Sequence, residues 1–428
     1  MVISIPDLYD RFHECMGVST DTRKITEGCL YIALKGEKFN GNLFASEALE
    51  KGARYAVVDN PDLANDSRFL LVEDGLTALQ ELARHHRRML GIPVIGLTGS
   101  NGKTTTKELI YSVLSKKYKT YATQGNLNNH IGVPLTLLAI DEQYEMAVVE
   151  MGANHQGEIR LLSSIAQPTH GMITNIGKAH LEGFGGLAGV RKGKGELFDF
   201  LAQTGGTVFV NAQSTVLMEM YKERLFREAV FYQLTDQYDI LSDSPTVVFK
   251  DEAGQVVTTH LPGRYNFDNI AAALCIGKFF GVPAEVANEA IATYNPTNNR
   301  SQLIQKGTNT ILMDAYNANP SSMAAAVQNL MKLDAPRKVV ILGDMYELGD
   351  ESPAEHAALG ELVAQGGFDT VILAGQDMRY ALAALPKAYY FPDKFSLHNW
   401  IMDHPFDNTT ILIKGSRGMG LESVVQFL

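Results

Sequence analysis

The chain has 428 residues, 45% of them hydrophobic and 20% charged, and a formal net charge of −11. That balance describes a globular protein with more than one core and excludes a broad nucleic-acid binder, which presents a basic face. Small anions stay open as ligands, because local Lys and Arg meet them whatever the net charge. Cys15, Cys29 and Cys275 have no paired spacing, so neither a disulfide framework nor a metal knuckle is expected, and the reducing cytoplasm is the expected compartment. Neither a signal peptide nor a membrane span is expected.

In chain order, residues 1–87 read as a small α/β unit. Leu30–Leu34 and Tyr55–Val58 have strand character, a helix is expected over Phe44–Lys51, and another over Leu76–Leu90. The polar run Arg84–Arg88 marks the boundary and reads as a solvated helix face. Residues 88–300 alternate strand and helix patterns, as a parallel sheet requires, with strands expected at Thr120–Thr123, Glu145–Glu150, His170–Asn175 and Thr207–Val210. Thr246–Phe249 and Gln255–His260 read as an antiparallel appendage, followed by an alanine-rich helix over Asn266–Phe280. Residues 301–428 restart the alternation at Ile311–Asp314, Lys338–Leu342, Thr370–Ala374 and Thr410–Ile413, each followed by a helical run. The expected class is α/β in three domains: a small N-terminal unit, a central mononucleotide-binding parallel sheet, and a C-terminal Rossmann-like sheet without a Gly-x-Gly-x-x-Gly fingerprint.

The central domain opens on Thr98-Gly99-Ser100-Asn101-Gly102-Lys103-Thr104-Thr105-Thr106, between the apolar run Pro93–Leu97 and a helical pattern from Lys107. Strand, glycine-rich turn and helix start form the context of a phosphate-binding loop. Glycines let the backbone approach an anion, and the helix start offers free N–H groups and the positive dipole end. Lys103 would reach the terminal phosphates and Thr104 would ligate Mg²⁺. Leu97 stands where the strict Walker pattern has glycine.

Other runs carry chemistry once that loop is accepted. Glu150 ends a strand, where ligands gather in open α/β sheets, and occupies the position of a Walker B acid, so it is a candidate Mg²⁺ ligand. His180 lies in the loop beyond the His170–Asn175 strand. Lys192 and Lys194 follow, and for both of them phosphate neutralisation or a solvated face remains open. Gly125–Pro134 concentrates asparagines, which suits either polar recognition or helix capping.

Together these runs resemble the Mur ligase family of cell-wall peptide-forming enzymes. The resemblance covers nearly the whole chain, including Asp21-Thr22-Arg23, Thr98–Thr106, Gly125–Pro134, Glu150–Gly152, His180–Glu196, Gly263–Asn269, Asp314–Pro320, Leu342–Gly349 and Lys414–Arg417. It is strongest with the branch that adds D-alanyl-D-alanine, through Asn-Leu-Asn-Asn at 126–129 and Tyr-Asn-Ala-Asn-Pro at 316–320. Thr22 replaces the commoner serine, and Asn40-Gly41-Asn42 the usual Asp-Gly-His.

The resemblance implies ATP-dependent amide formation through an acyl phosphate, with UDP-N-acetylmuramoyl-tripeptide and D-alanyl-D-alanine as substrates, two Mg²⁺ ions, and a cytoplasmic monomer that acts on no nucleic acid. It implies that Thr98, Gly99, Ser100, Asn101, Gly102, Lys103, Thr104, Thr105, Asn266 and Asn269 bind the nucleotide. Arg300 would reach the γ-phosphate and Asp314 the ribose. Thr104 and Glu150 would hold one metal; His180 and Lys194 would hold the other, the lysine as a carbamate, with Lys192 as the alternative. Asp21, Thr22 and Arg23 would face the UDP-sugar, and Asn126, Asn128 and Asn129 the muramyl peptide. Tyr316, Asn317, Asn319, Lys414 and Arg417 would serve the dipeptide and the closed state, with Glu347 and His356 in the same region. A folate-polyglutamylating ligase and a non-catalytic nucleotide switch are the rival readings.

Overall fold

The computed structural model describes residues 2–63, 65–234, 238–297 and 299–428. The N-terminal unit is a four-stranded parallel sheet ordered Val18–Ser19, Leu30–Ile32, Tyr55–Val58, Phe69–Leu71. Its closing helix, Gly75–Leu90, starts where the Asp74 side chain accepts from Thr77 N and stops at Gly91, whose φ of 64° breaks the helical path. This helix runs unbroken through residue 87.

The run Arg84–Arg88 is not a solvated face. His86 and Arg87 are buried. His86 Nε2 lies 2.7 Å from Ile140 O and Arg87 Nε donates to Ala166 O at 2.9 Å, both in the central domain. The polar letters hide a joint: each side chain caps carbonyls that helix ends of the neighbouring domain leave unpaired.

The central sheet has six parallel strands in the order Glu228–Tyr232, Thr207–Asn211, His170–Ile173, Val94–Thr98, Met146–Glu150, Thr120–Ala122. Alternate residues feed two cores, as period-2 strands covered on both faces must. Ile95, Leu97 and Val148 pack under the helices Lys103–Leu114 and Tyr265–Phe279. Val94, Ala147 and Val149 pack under Gly132–Leu138, Glu158–Ala166 and Leu187–Thr204. The appendage is a three-stranded antiparallel sheet, Asp239–Ser242, Val248–Lys250 and Val256–Thr258.

The C-terminal sheet is ordered Gln302–Lys306, Asn309–Met313, Thr410–Lys414, Lys338–Gly343, Thr370–Ala374, Tyr389–Phe391. Its first strand is antiparallel, paired through the turn at Gly307, and had no sequence expectation because its alternation is weak. Thr410–Lys414 is followed only by short 3₁₀ turns, Arg417–Met419 and Leu421–Phe427, not by an α-helix.

Candidate active site

Val94–Thr98 sits between Met146–Glu150 and His170–Ile173, with chain crossovers leaving in opposite directions. Loops diverge beyond its C-terminal end and leave a crevice there. Thr98-Gly99-Ser100-Asn101-Gly102 fills that crevice. Gly99 has φ 150° and a Cβ there would stand 1.9 Å from Thr174 Oγ1; Gly102 has φ 76° and would meet Asn269 Oδ1 at 2.6 Å. No side chain fits at either turn. Ser100 Oγ donates to Gly177 O and accepts from Gly177 N, while Asn101 N donates to Asn175 Oδ1. The loop is therefore pinned by the segment that follows the strand His170–Ile173.

Lys103 opens the helix and folds over the turn, its Nζ donating to Gly99 O at 2.7 Å. Burial lowers its pKa, Glu150 opposes that, and the charge of Arg300 adds to it. Thr104 Oγ1 donates to Glu150 Oε2 at 2.9 Å, and Asn128 Nδ2 donates to Oε1 at 2.8 Å. A buried hydroxyl and carboxylate side by side are hard oxygen donors of the kind Mg²⁺ selects. Thr105 lines the cavity, and Thr98 Oγ1 is buried with no partner. Asn269 accepts from Thr106 Oγ1 and donates to Asn266 Oδ1, and Asn266 in turn donates to Pro262 O. That chain braces the nucleotide loop as well as the helix start.

Lys194 is fully buried within the helix Leu187–Thr204, and its Nζ donates to Ala153 O at 2.9 Å. Burial first, then the charge of Lys103, pushes its pKa well below the ordinary lysine value, toward a neutral amine. Lys192 is exposed, so the interior position belongs to Lys194. His180 has a left-handed φ of 54° and pairs through Nδ1 with Glu347, itself at φ 63°. The hydrogen bond from His180 holds the Glu347 carboxyl below its usual range. Two strained residues face each other across the domain boundary, a placement typical of functional sites.

From the C-terminal side, the Arg300 guanidinium lies 3.5 Å from the Tyr316 ring centroid and Arg417 lies 4.5 Å from it. Lys414 Nζ donates to Asp314 Oδ2 at 2.6 Å and to Asn317 O at 3.1 Å. Asp314 Oδ1 also accepts from Ser301 N. Asn319 caps the helix Pro320–Lys332 and sends its Nδ2 to Asn101 Oδ1 at 2.7 Å, joining the C-terminal domain to the nucleotide loop.

One cavity of about 910 Å³ gathers Ser100–Lys103, Asn126, Asn128, Asn129, Glu150, His180, Asn266 and Asn269 from the central domain. Across it stand Arg300, Asp314, Tyr316, Asn317, Asn319, Glu347, Lys414 and Arg417. Asp21, Thr22 and Arg23 are not brought to it. Asp21 caps the turn Thr22–Lys24, and the Arg23 guanidinium on it holds the Asp21 carboxyl at about 2. Asn129 also caps, accepting from Gly132 N. His356 does not enter the cavity; it is buried and its Nε2 accepts from Met345 N. Sequence reading missed Asn175, which pins Asn101, and Tyr265, whose OH meets Ser301 Oγ at 3.3 Å. Both sit inside runs already singled out, where attention fell on their neighbours.

Three descriptions match the chain in succession: "Mur ligase family, catalytic domain" over residues 14–87, "Mur ligase middle domain" over 97–277, and "Mur ligase, glutamate ligase domain" over 299–417. The chain belongs to the Mur ligase family. Among its relatives is the UDP-N-acetylmuramoyl-tripeptide–D-alanyl-D-alanine ligase of Escherichia coli, 39% identical over 96% of this chain and 93% of that one. A crystal structure of MurF from Acinetobacter baumannii superposes with a TM-score of 0.85 at 32% identity, covering 99% and 98% of the two chains. MurF from Thermotoga maritima, solved in complex with ADP, gives 0.83 at 26% identity and 96% coverage of both.

Proposed function

We propose that this chain joins D-alanyl-D-alanine to UDP-N-acetylmuramoyl-tripeptide, converting ATP to ADP and phosphate and yielding the pentapeptide precursor of peptidoglycan. The relatives' names and the ADP complex support that reading. The observation that carries it is geometric. Lys103 and Glu150, the latter held by the Thr104 hydroxyl behind it, face Arg300 across one cavity, and the two domains that supply them must both be present to complete it.

A carboxylate is a poor electrophile, because expelling oxide is prohibitive. Its oxygen therefore attacks the γ-phosphorus while the bond to the β-bridging oxygen breaks and ADP leaves. The amine nitrogen of the dipeptide then attacks the acyl carbon and gives up a proton, and the C–O bond breaks to release phosphate. The first step brings anions together, so it needs cations fixed in advance. Lys103 spans the terminal phosphates, and Arg300 approaches from the opposite wall. Mg²⁺ would be held by Thr104 and Glu150 and would supply charge neutralisation on the phosphates. No group of three His, Cys, Asp or Glu among the described residues is placed to hold a metal, so a second ion near His180 calls for another oxygen donor. Burial lowers the Lys194 pKa, and its amine fits a group that would add carbon dioxide at nitrogen and give up a proton to become a carbamate. The cleft between the domains excludes water from an anhydride that would otherwise hydrolyse. No helix of the described residues is long and apolar enough to cross a membrane, and the reading places the enzyme in the cytoplasm as a monomer. Asp21, Thr22 and Arg23 bind the UDP-sugar in it.

ADP release measured over a panel of muramyl peptides and amine acceptors tests this. Release is expected only when UDP-N-acetylmuramoyl-tripeptide and D-alanyl-D-alanine are both present, and Lys103→Ala should lower kcat/KM about 1000-fold, roughly 4 kcal/mol. Release without an acceptor would favour a nucleotide switch; release with glutamate and a folate would favour the polyglutamylating branch.

A further inference from the structure

Two guanidinium groups rest on one aromatic ring at the centre of the cavity. Tyr316 meets Arg300 at 3.5 Å and Arg417 at 4.5 Å, and all three residues line the space. The ring is itself tied to the junction between domains, since Tyr316 N donates to Asn299 O at 3.2 Å. Asn299 and Ser301, on either side of Arg300, have left-handed φ of 56° and 47°. Such strain persists only where the surroundings impose it. Arg300 Nε is buried without a hydrogen-bond partner, and an unpaired buried donor costs stability unless a ligand accepts from it.

A ring's negative face attracts each cation, yet two like charges on one ring repel each other until anions arrive. The reaction brings two anions that need separate cations: the terminal phosphate and the carboxylate of the incoming dipeptide. On the C-terminal wall the Lys414 ammonium is already committed, because it is buried on Asp314 and Asn317. Arg417 pairs with no carboxylate among the described residues, and it follows directly on the C-terminal end of Thr410–Lys414, where ligands of such sheets gather.

Resting on the function proposed above, we infer that Tyr316 is a positioning residue whose ring orients Arg300 toward the terminal phosphate and Arg417 toward the dipeptide carboxylate, coupling the two binding events. Loss of the ring releases both arginines at once. Removal of a direct dipeptide contact, in contrast, would disturb only the acceptor.

The test is Tyr316→Leu with Tyr316→Phe beside it, and Tyr316→Met in place of leucine should that variant lose its melting transition. Leucine should raise KM for ATP and for D-alanyl-D-alanine about tenfold each, and leave KM for the muramyl tripeptide within about twofold. Calorimetry should show weaker binding of a non-hydrolysable ATP analogue with ADP binding retained, and phenylalanine should recover every value. Movement of only one KM, equal weakening of ADP and the analogue, or failure of phenylalanine to recover would each overturn the shared ring. A parent enzyme idle with D-alanyl-D-alanine would sink the proposed function and the dipeptide half together. The contrast between analogue and ADP still tests the Arg300 half, because it needs no acceptor.

Discussion

The central domain meets its two neighbours through joints of opposite character. Toward the N-terminal unit the joint turns on two buried side chains: Arg87 sends Nε to Ala166 O and Nη2 to Gln167 O, and His86 bridges Tyr9 and Ile140 O. One helix, Gly75–Leu90, carries all of these without a break. Toward the C-terminal domain the contacts are polar, and several open to solvent: Lys178 with Glu355, His180 with Glu347, Asn319 with Asn101. Strained residues flank the connection at Arg300. A buried joint resists opening because every group it exposes loses a partner, whereas an exposed pair exchanges its partner for water at little cost. The fold thus assigns movement to the cleft between the central and C-terminal domains, and rigidity to the side that carries the N-terminal unit.

That contrast is tested hardest at Arg87. Truncation to alanine leaves two carbonyls unpaired and a hole where a long side chain packed, so a loss of about 2–3 kcal/mol in unfolding free energy is expected. Chemical denaturation measures it, and kcat should stay near the parent value. A loss below about 0.5 kcal/mol would mean that the first joint is as forgiving as the second.

The opposite joint should show the reverse pattern. Asn319→Ser keeps a good helix cap for Pro320–Lys332 but is too short to reach Asn101. The expected outcome is a five- to tenfold fall in kcat/KM for ATP, about 1 kcal/mol, with the melting temperature within about 2 °C of the parent. A melting temperature that drops while kinetics hold would show that this contact is structural and the two joints alike.

The same contrast explains what could be read from the letters. The nucleotide loop, Glu150 and the two outer sheets announce themselves through local rules: glycine where φ must be positive, an acid at a strand end, alternation of apolar residues. Family resemblance extended this to Arg300, Asn319 and Arg417. What stayed hidden depends on partners far away in sequence. Nothing near Lys414 says that Asp314 claims its ammonium, and nothing near His86 says that Ile140 waits for its ring. Lys192 and Lys194 are both lysines on one helix, and only the packing of Leu187–Thr204 against the sheet buries the second. Asp21 and Arg23 pair with each other away from the cavity, a contact the motif alone did not announce.

The smallest effect, and the most specific to the first joint, concerns pH. Burial holds the His86 imidazole below the ordinary histidine range, with the nearby charges of His13 and His85 adding to that and the hydrogen bond to Ile140 O opposing it. Its folded state therefore favours the neutral ring. With the folded pKa below the unfolded one near 6.5, the unfolded chain binds more protons in that window, so stability rises with pH there. The contribution is complete above about pH 6.5 and is lost as pH falls through the folded value. Unfolding free energy measured from pH 7.5 down to 5 should decline in the parent and decline less in His86→Gln, which cannot take up the proton. His13 and His85 sit on the same Tyr9 ring, at 4.4 and 4.6 Å between centroids, and neither is fully buried. Equal slopes in the two proteins would take the acid sensitivity away from His86, and the first joint would then owe its rigidity to Arg87 alone.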